Sequence, residues 1–170
     1  MSSQSYDFSG ISDDAVEDMF SLGQECLLGT VQLALAADQR ATALAGMFGG
    51  GFVALLATAA AVLTSEHLEN SLFVACITAA VGFCLAAVLC AWAAKPTNFY
   101  VGGYEPKLLV KSAEQPLWMK RYATEDIQRR IDSNRRCLVA ASRKVACGTV
   151  IAFLAPLCGF AVFFLIRQSF

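Results

Sequence analysis

Ala41 to Thr64 reads ATALAGMFGGGFVALLATAAAVLT, 24 residues without a single charge. At ~1.5 Å per residue a helix of that length rises about 36 Å, enough for a hydrocarbon core of roughly 30 Å. The run predicts a transmembrane helix. Asp38 and Arg40 are the last charges before it and form a charged collar at its foot. Working outward, Ser71 to Ala94 (SLFVACITAAVGFCLAAVLCAWAA) is a second uncharged run of 24, and Val145 to Ile166 (VACGTVIAFLAPLCGFAVFFLI) a third of 22. The expected fold class is therefore all-α: a three-span transmembrane helical protein with a helical cytoplasmic extension.

The whole 170-residue composition agrees, with 56% hydrophobic and 16% charged residues, both on the membrane side of globular averages. The formal net charge of -1 conceals two opposite halves. Met1 to Asp38 carries seven acids and no Lys or Arg, whereas Lys95 to Lys144 carries eleven Lys or Arg against five acids. Positive residues stay on the cytoplasmic side, so the basic segment belongs there. With three spans, the N-terminus joins it in the cytoplasm, and the Ser65 to Asn70 loop and the C-terminus face outward. The chain divides into a disordered start and cytoplasmic helix (1–40), a transmembrane hairpin (41–94, spans 41–64 and 71–94), a basic cytoplasmic connection and helix (95–144), and a third span with a short outer tail (145–170, span 145–166). The expected localisation is a plasma membrane, the bacterial inner membrane, multi-pass. A signal peptide is not expected, because the first residues lack a basic n-region and the first apolar run is too long for an h-region.

Ser12 is a plausible N-cap for the first helix, with Asp13, Asp14, Glu17 and Asp18 where the helix dipole favours acids. Val16, Phe20, Gly23, Leu27, Thr30, Ala34 and Ala37 then follow at alternating spacings of four and three, a heptad-like stripe weakened by Gly23 and Thr30. No proline lies between Ser12 and Thr64, so the simplest reading is one long helix, with Gly29 or the Asp38 region as the places for a bend. Pro96 ends the second helix, and a turn-rich connection with Tyr100 and Tyr104 follows. Glu105 to Trp118 is read either as a short interfacial helix or as none. Thr124 is expected to cap the next helix. Ile127, Ile131, Asn134, Leu138, Ala141 and Val145 make a second heptad-like stripe, set among Arg129, Arg130, Arg135, Arg136, Arg143 and Lys144. Pro156 is the expected kink of the third span.

No catalytic constellation is present, and no enzymatic activity or cofactor is expected. The one histidine, His67, lies between Glu66 and Glu69 in the outer loop and is too poor a set for a metal. The seven cysteines lack C-x-x-C spacing and read as small buried hydrophobes. No charge falls inside a span, which disfavours a dedicated transporter, and Thr42, Thr58, Thr64, Thr78 and Thr149 offer sparse hydroxyls for a channel. Three features remain. Asp38 and Arg40 are ordinary interface charges or groups that each meet another element. Asn134, in an apolar stripe, is either exposed or a residue that selects register and oligomer state. The basic face through Arg143 and Lys144 meets anionic headgroups or binds an anionic ligand such as a nucleotide. Asp38, Arg40, Arg143 and Lys144 are thus the ligand-binding or gating candidates. Gly46 and Gly50 form a G-x-x-x-G pair and, with Asn134, are the oligomer or packing candidates.

The segment Ala37-Asp38-Gln39-Arg40-Ala41, the two-span hairpin, the Pro-containing connection and the polar helix Ile131 to Val145 running into the last span together resemble the bacterial Pycsar effector transmembrane family and related SLATT-type membrane proteins. The likeness is architectural over most of the chain, and its local motif covers about five residues. Family members typically carry Lys where Arg40 stands, which keeps the charge. The resemblance implies an antiviral effector that responds to a cyclic nucleotide by oligomerising and impairing the inner membrane. The partners it implies are the lipid bilayer, further copies of the chain, and a cyclic nucleotide or a cytoplasmic partner protein. No nucleic acid polymer is among them. The rival expectation is a non-catalytic adaptor or structural protein that recruits a cytoplasmic partner, or a small channel.

Overall fold

The computed structural model describes residues 10–64, 70–95, 99–100 and 116–168. Three helices follow one another: α1 (Asp13–Thr64), α2 (Asn70–Ala93) and α3 (Pro116–Gln168). All described secondary structure is helical, so the all-α class with three candidate spans stands. The polar N-terminus through residue 9, the loop with His67, most of the turn-rich connection including Tyr104, and the segment 105–115 lie outside the described residues.

α1 begins as its cap residue suggests, with the Val16 amide donating to the Ser12 carbonyl at 3.0 Å. It continues for 52 residues through Gly29 and Asp38 without a break, as a segment free of proline permits. α3 departs from the sequence reading. It starts at Pro116, eight residues before the expected cap, and Thr124 is buried inside it at 6% exposure. Proline suits a first helical turn because its missing N–H would have no partner there. With the helix already under way, Glu125 and Asp126 pair one turn ahead, with Arg129 at 2.6 Å and Arg130 at 2.7 Å. α3 also runs on through Pro156.

The chain forms two compact units. The first takes the residues up to Leu35 together with 97–138, and the second takes 36–96 together with 139–170. α1 and α3 each contribute residues to both.

In the first unit α1 and α3 run parallel. Leu27, Ile127 and Ile131 form its buried core, with Phe20 packed against them. Burying each such side chain contributes about 1.5–3 kcal/mol. The two residues that weaken the stripe in sequence turn out to complete it. A methyl at Gly23 would stand 3.0 Å from Ile127 Cγ2, so glycine makes room for that side chain. Thr30 is buried and satisfies its hydroxyl by donating to the Leu27 carbonyl at 2.7 Å.

In the second unit the core is Phe48, Ala86, Cys90 and Ala152, with Phe83 against it; the rings of Phe48 and Phe83 are 6.2 Å apart. α2 and α3 are antiparallel here and unusually close. A methyl on Gly82 would meet Ala155 Cβ at 2.5 Å, and one on Gly159 would meet the Ala75 carbonyl at 3.0 Å. Small residues at such crossings bring backbones together where lipid offers no hydrophobic drive for association. The outward faces are apolar as well, with Phe153 at 74% exposure and Met47, Val81, Leu157 and Phe160 all exposed. An apolar shell around an apolar core has its match in a bilayer, not in water.

Candidate functional site

The most elaborate polar arrangement is in the first unit, around Asn134. This side chain is 1% exposed and yet fully used. Its Oδ1 accepts the Tyr100 amide at 3.0 Å, and its Nδ2 donates both to the Tyr100 carbonyl at 3.0 Å and to Thr30 Oγ1 at 3.3 Å. One amide thus pairs with both backbone groups of Tyr100, in the manner of a neighbouring strand, while locking α1 to α3. The two helices meet here with a 104-residue offset. A slip by one heptad would leave Thr30 and Asn134 opposite apolar partners, so the pair pins the register. Arg130 lies over the Tyr100 ring at 5.7 Å and its Nε donates to Asp126, which holds the tyrosine from a third side.

Asn134 is therefore a packing residue within the chain. With its donors and acceptor occupied by Thr30 and Tyr100, it has no side-chain group left to select a partner copy. Gly46 and Gly50 behave in the opposite way. Both are exposed, and nothing stands within 4 Å of where a Cβ would be. The glycines that pack helices inside the chain are others, Gly82 and Gly159 among them.

Asp38, Arg40, Arg143 and Lys144 all belong to the second unit. Asp38 is half-buried, Arg40 and Arg143 are exposed, and none of these three makes a side-chain hydrogen bond or ion pair. Among the described residues no ion pair joins them. Lys144 is placed more firmly, with Nζ 4.8 Å from the centre of the Trp92 ring. A cation over an indole near the end of α2 is a common anchor at a membrane interface.

Four of the five span threonines turn inward on their own helices, whereas Thr42 is exposed and makes no such bond. Thr58, Thr64, Thr78 and Thr149 each donate to a carbonyl three or four residues back, so within one chain they line no polar path. The cysteines are all free thiols. Cys76 and Cys90 are buried as expected, but Cys26, Cys147 and Cys158 are exposed. In the spans this costs little, because lipid is as apolar as the interior. Among the described residues no three His, Cys, Asp or Glu side chains converge as a metal would require.

A feature that the sequence reading missed is a groove of about 310 Å³ in the first unit. Met19, Leu22 and Cys26 of α1 form one wall, Ile127 and Ile131 the floor, and Gln128 and Arg135 of α3 the polar rim. The signal was available: Met19, Leu22, Cys26 and Leu33 repeat at heptad-compatible spacings beside the buried stripe. Leu22 is 63% exposed there.

Fold and surface together define a multi-pass, all-α membrane protein with a helical unit distinct from its spans. Compared with protein-family models, curated proteins and solved structures, the chain matches none.

Proposed function

We propose that the chain is a non-catalytic bacterial inner-membrane effector of antiviral defence, which perturbs membrane integrity when its cytoplasmic unit is engaged by a cyclic nucleotide. The observation that supports this is the continuity of α1 and α3: each carries residues of the charged unit and a membrane span in one unbroken helix. The resemblance around Ala37 to Ala41 supplies the class of signal. Asp38, Arg40, Arg143 and Lys144 are the gating candidates, because the first three carry charge with no partner that would hold them.

The test is membrane potential, read with a voltage-sensitive dye in cells expressing the chain or its Asp38→Ala variant, with cyclic pyrimidine nucleotides supplied or withheld. We expect depolarisation that needs both nucleotide and Asp38. An unchanged potential in every arm, with the protein recovered in the membrane, overturns the reading.

A second reading, a membrane adaptor, is favoured by the open apolar groove of the first unit. It expects stoichiometric copurification of a different protein and no change in potential.

A further inference from the structure

The groove in the first unit is bordered by a cation that no described residue neutralises. Arg129 and Arg130 are paired with Glu125 and Asp126, but Arg135 takes part in no ion pair. Glu25 on α1 is likewise exposed and unpaired. The two do not pair with each other within the chain. Glu25 lies about 160° around the helix from the buried Leu27, at ~100° per residue, away from the seam that α3 occupies.

Next to Glu25 on that outer face stand Leu28, 52% exposed, and Leu35, also exposed and seven residues on. α1 therefore has two exposed apolar faces roughly opposite each other, Met19, Leu22, Cys26 and Leu33 on the groove side and Leu28 and Leu35 on the other, with Glu25 at the back of the helix, three residues from both Leu22 and Leu28. A chain with three apolar spans cannot shift freely in depth. Two copies inserted in the same sense are held parallel and level, because each span must stay in the hydrocarbon. The 104-residue offset between α1 and α3 places Arg135 level with Val31. A neighbouring copy's Glu25 would lie six residues lower, about 9 Å along the axis at ~1.5 Å per residue. Helical side chains lean toward the N-terminus, so the long Arg135 side chain reaches down over that distance.

We propose that the groove of one copy receives the Glu25–Leu28 face of α1 from a second copy, with Arg135 of the first opposite Glu25 of the second. The occupied face and the receiving face are different surfaces, so the contact is head-to-tail. Repetition gives a ring or an open array rather than a closed pair. This goes beyond the function proposed above and stands on charge, exposed faces and membrane-imposed register.

Cys26 on the groove wall provides the test. In Leu28→Cys, the new thiol of one copy faces Cys26 of the next across a difference of two residues in height. Within one chain the two positions are about 200° apart on the helix and do not join. Membranes containing the full chain are treated with copper phenanthroline and resolved without reductant. We expect a ladder of dimers and higher species in Leu28→Cys, absent from Leu28→Cys/Cys26→Ala. Adding Arg135→Glu to Leu28→Cys should slow the ladder's formation by roughly tenfold, and Glu25→Arg on top of that should restore it. Arg135 is exposed, so these variants leave the core intact.

No species beyond the Cys26→Ala control, a ladder indifferent to the charge swap, or capture of a different polypeptide would each overturn the proposal. Membrane potential is read separately. A charge-dependent ladder in a chain that never depolarises the membrane keeps this interface and sinks the effector reading.

Discussion

The two units hold their helices together by different means, α1 against α3 in the first and most closely α2 against α3 in the second. In the first unit the seam is built from large aliphatic side chains, Leu27, Ile127 and Ile131, and from a buried polar junction, Thr30 and Asn134. In the second the largest core side chain is Phe48, the rest are Ala86, Cys90 and Ala152, and hydroxyls bond back to their own helix. Beside charged, solvated surface, removing Leu and Ile from water drives association, and an interhelical amide can specify register. Within lipid, Leu gains little by turning inward, so close backbone approach at glycine and alanine replaces it. The comparison teaches that helix packing changes its cement where its solvent changes.

This contrast can be broken by experiment. The largest effect is expected from Leu27→Ala, which should cost about 2–5 kcal/mol of stability by opening a cavity against Ile127 and Ile131. Thermal unfolding in a mild detergent, followed by circular dichroism, reads it. A loss below about 1 kcal/mol would mean that the first unit is not held by its aliphatic core.

Next comes the polar junction. Asn134→Leu leaves the Tyr100 amide and carbonyl without their partner, at about 1–3 kcal/mol for each buried group stranded. The same melting experiment should show it, and Thr30→Val in the Asn134→Leu background should add less than it does alone, because the two share a bond. Additive losses would show that they are independent.

In the second unit, Gly82→Ala should cost about 1–3 kcal/mol through overpacking against Ala155. The sharpening control is Gly46→Ala with Gly50→Ala, which meets nothing among the described residues and should stabilise, each alanine being worth about 0.5–1 kcal/mol over glycine in a helix interior. If the pair is as damaging as Gly82→Ala, α1 is packed against something beyond its own chain along that face. The smallest effect is expected from Glu125→Ala, which removes an exposed pair worth about 0.3–0.5 kcal/mol.

Much of this architecture is legible in the linear order of residues. Three long apolar runs demand three spans because a bilayer tolerates no unpaired backbone, and the absence of proline before Thr64 makes α1 continuous. Both heptad stripes can be read by eye, and each proves to face the other. Other features could not be read. Thr124 followed by Glu125 and Asp126 has the form of a helix start, and local chemistry cannot tell that Pro116 had already begun the helix. Gly23 and Thr30 look like flaws in a stripe until Ile127 and Asn134 are opposite them. Asn134 reads equally as a surface residue, an oligomer switch or an internal clamp, because the Tyr100 backbone it binds is 34 residues away.

Sequence by itself thus determined the class: an all-α chain with three membrane-crossing lengths of apolar helix and opposite charges on α1's start and α3's first half. These are one-dimensional quantities, namely length, hydropathy and charge count, and a bilayer reads them directly. Which glycines pack and which stand open, which cation is paired and which is free, and where Asn134 spends its hydrogen bonds were decided only by the tertiary structure. They depend on what lies opposite each residue, set in the first unit by the 104-residue offset between α1 and α3 and in the second by the antiparallel crossing of α2 and α3, not by anything adjacent in the chain.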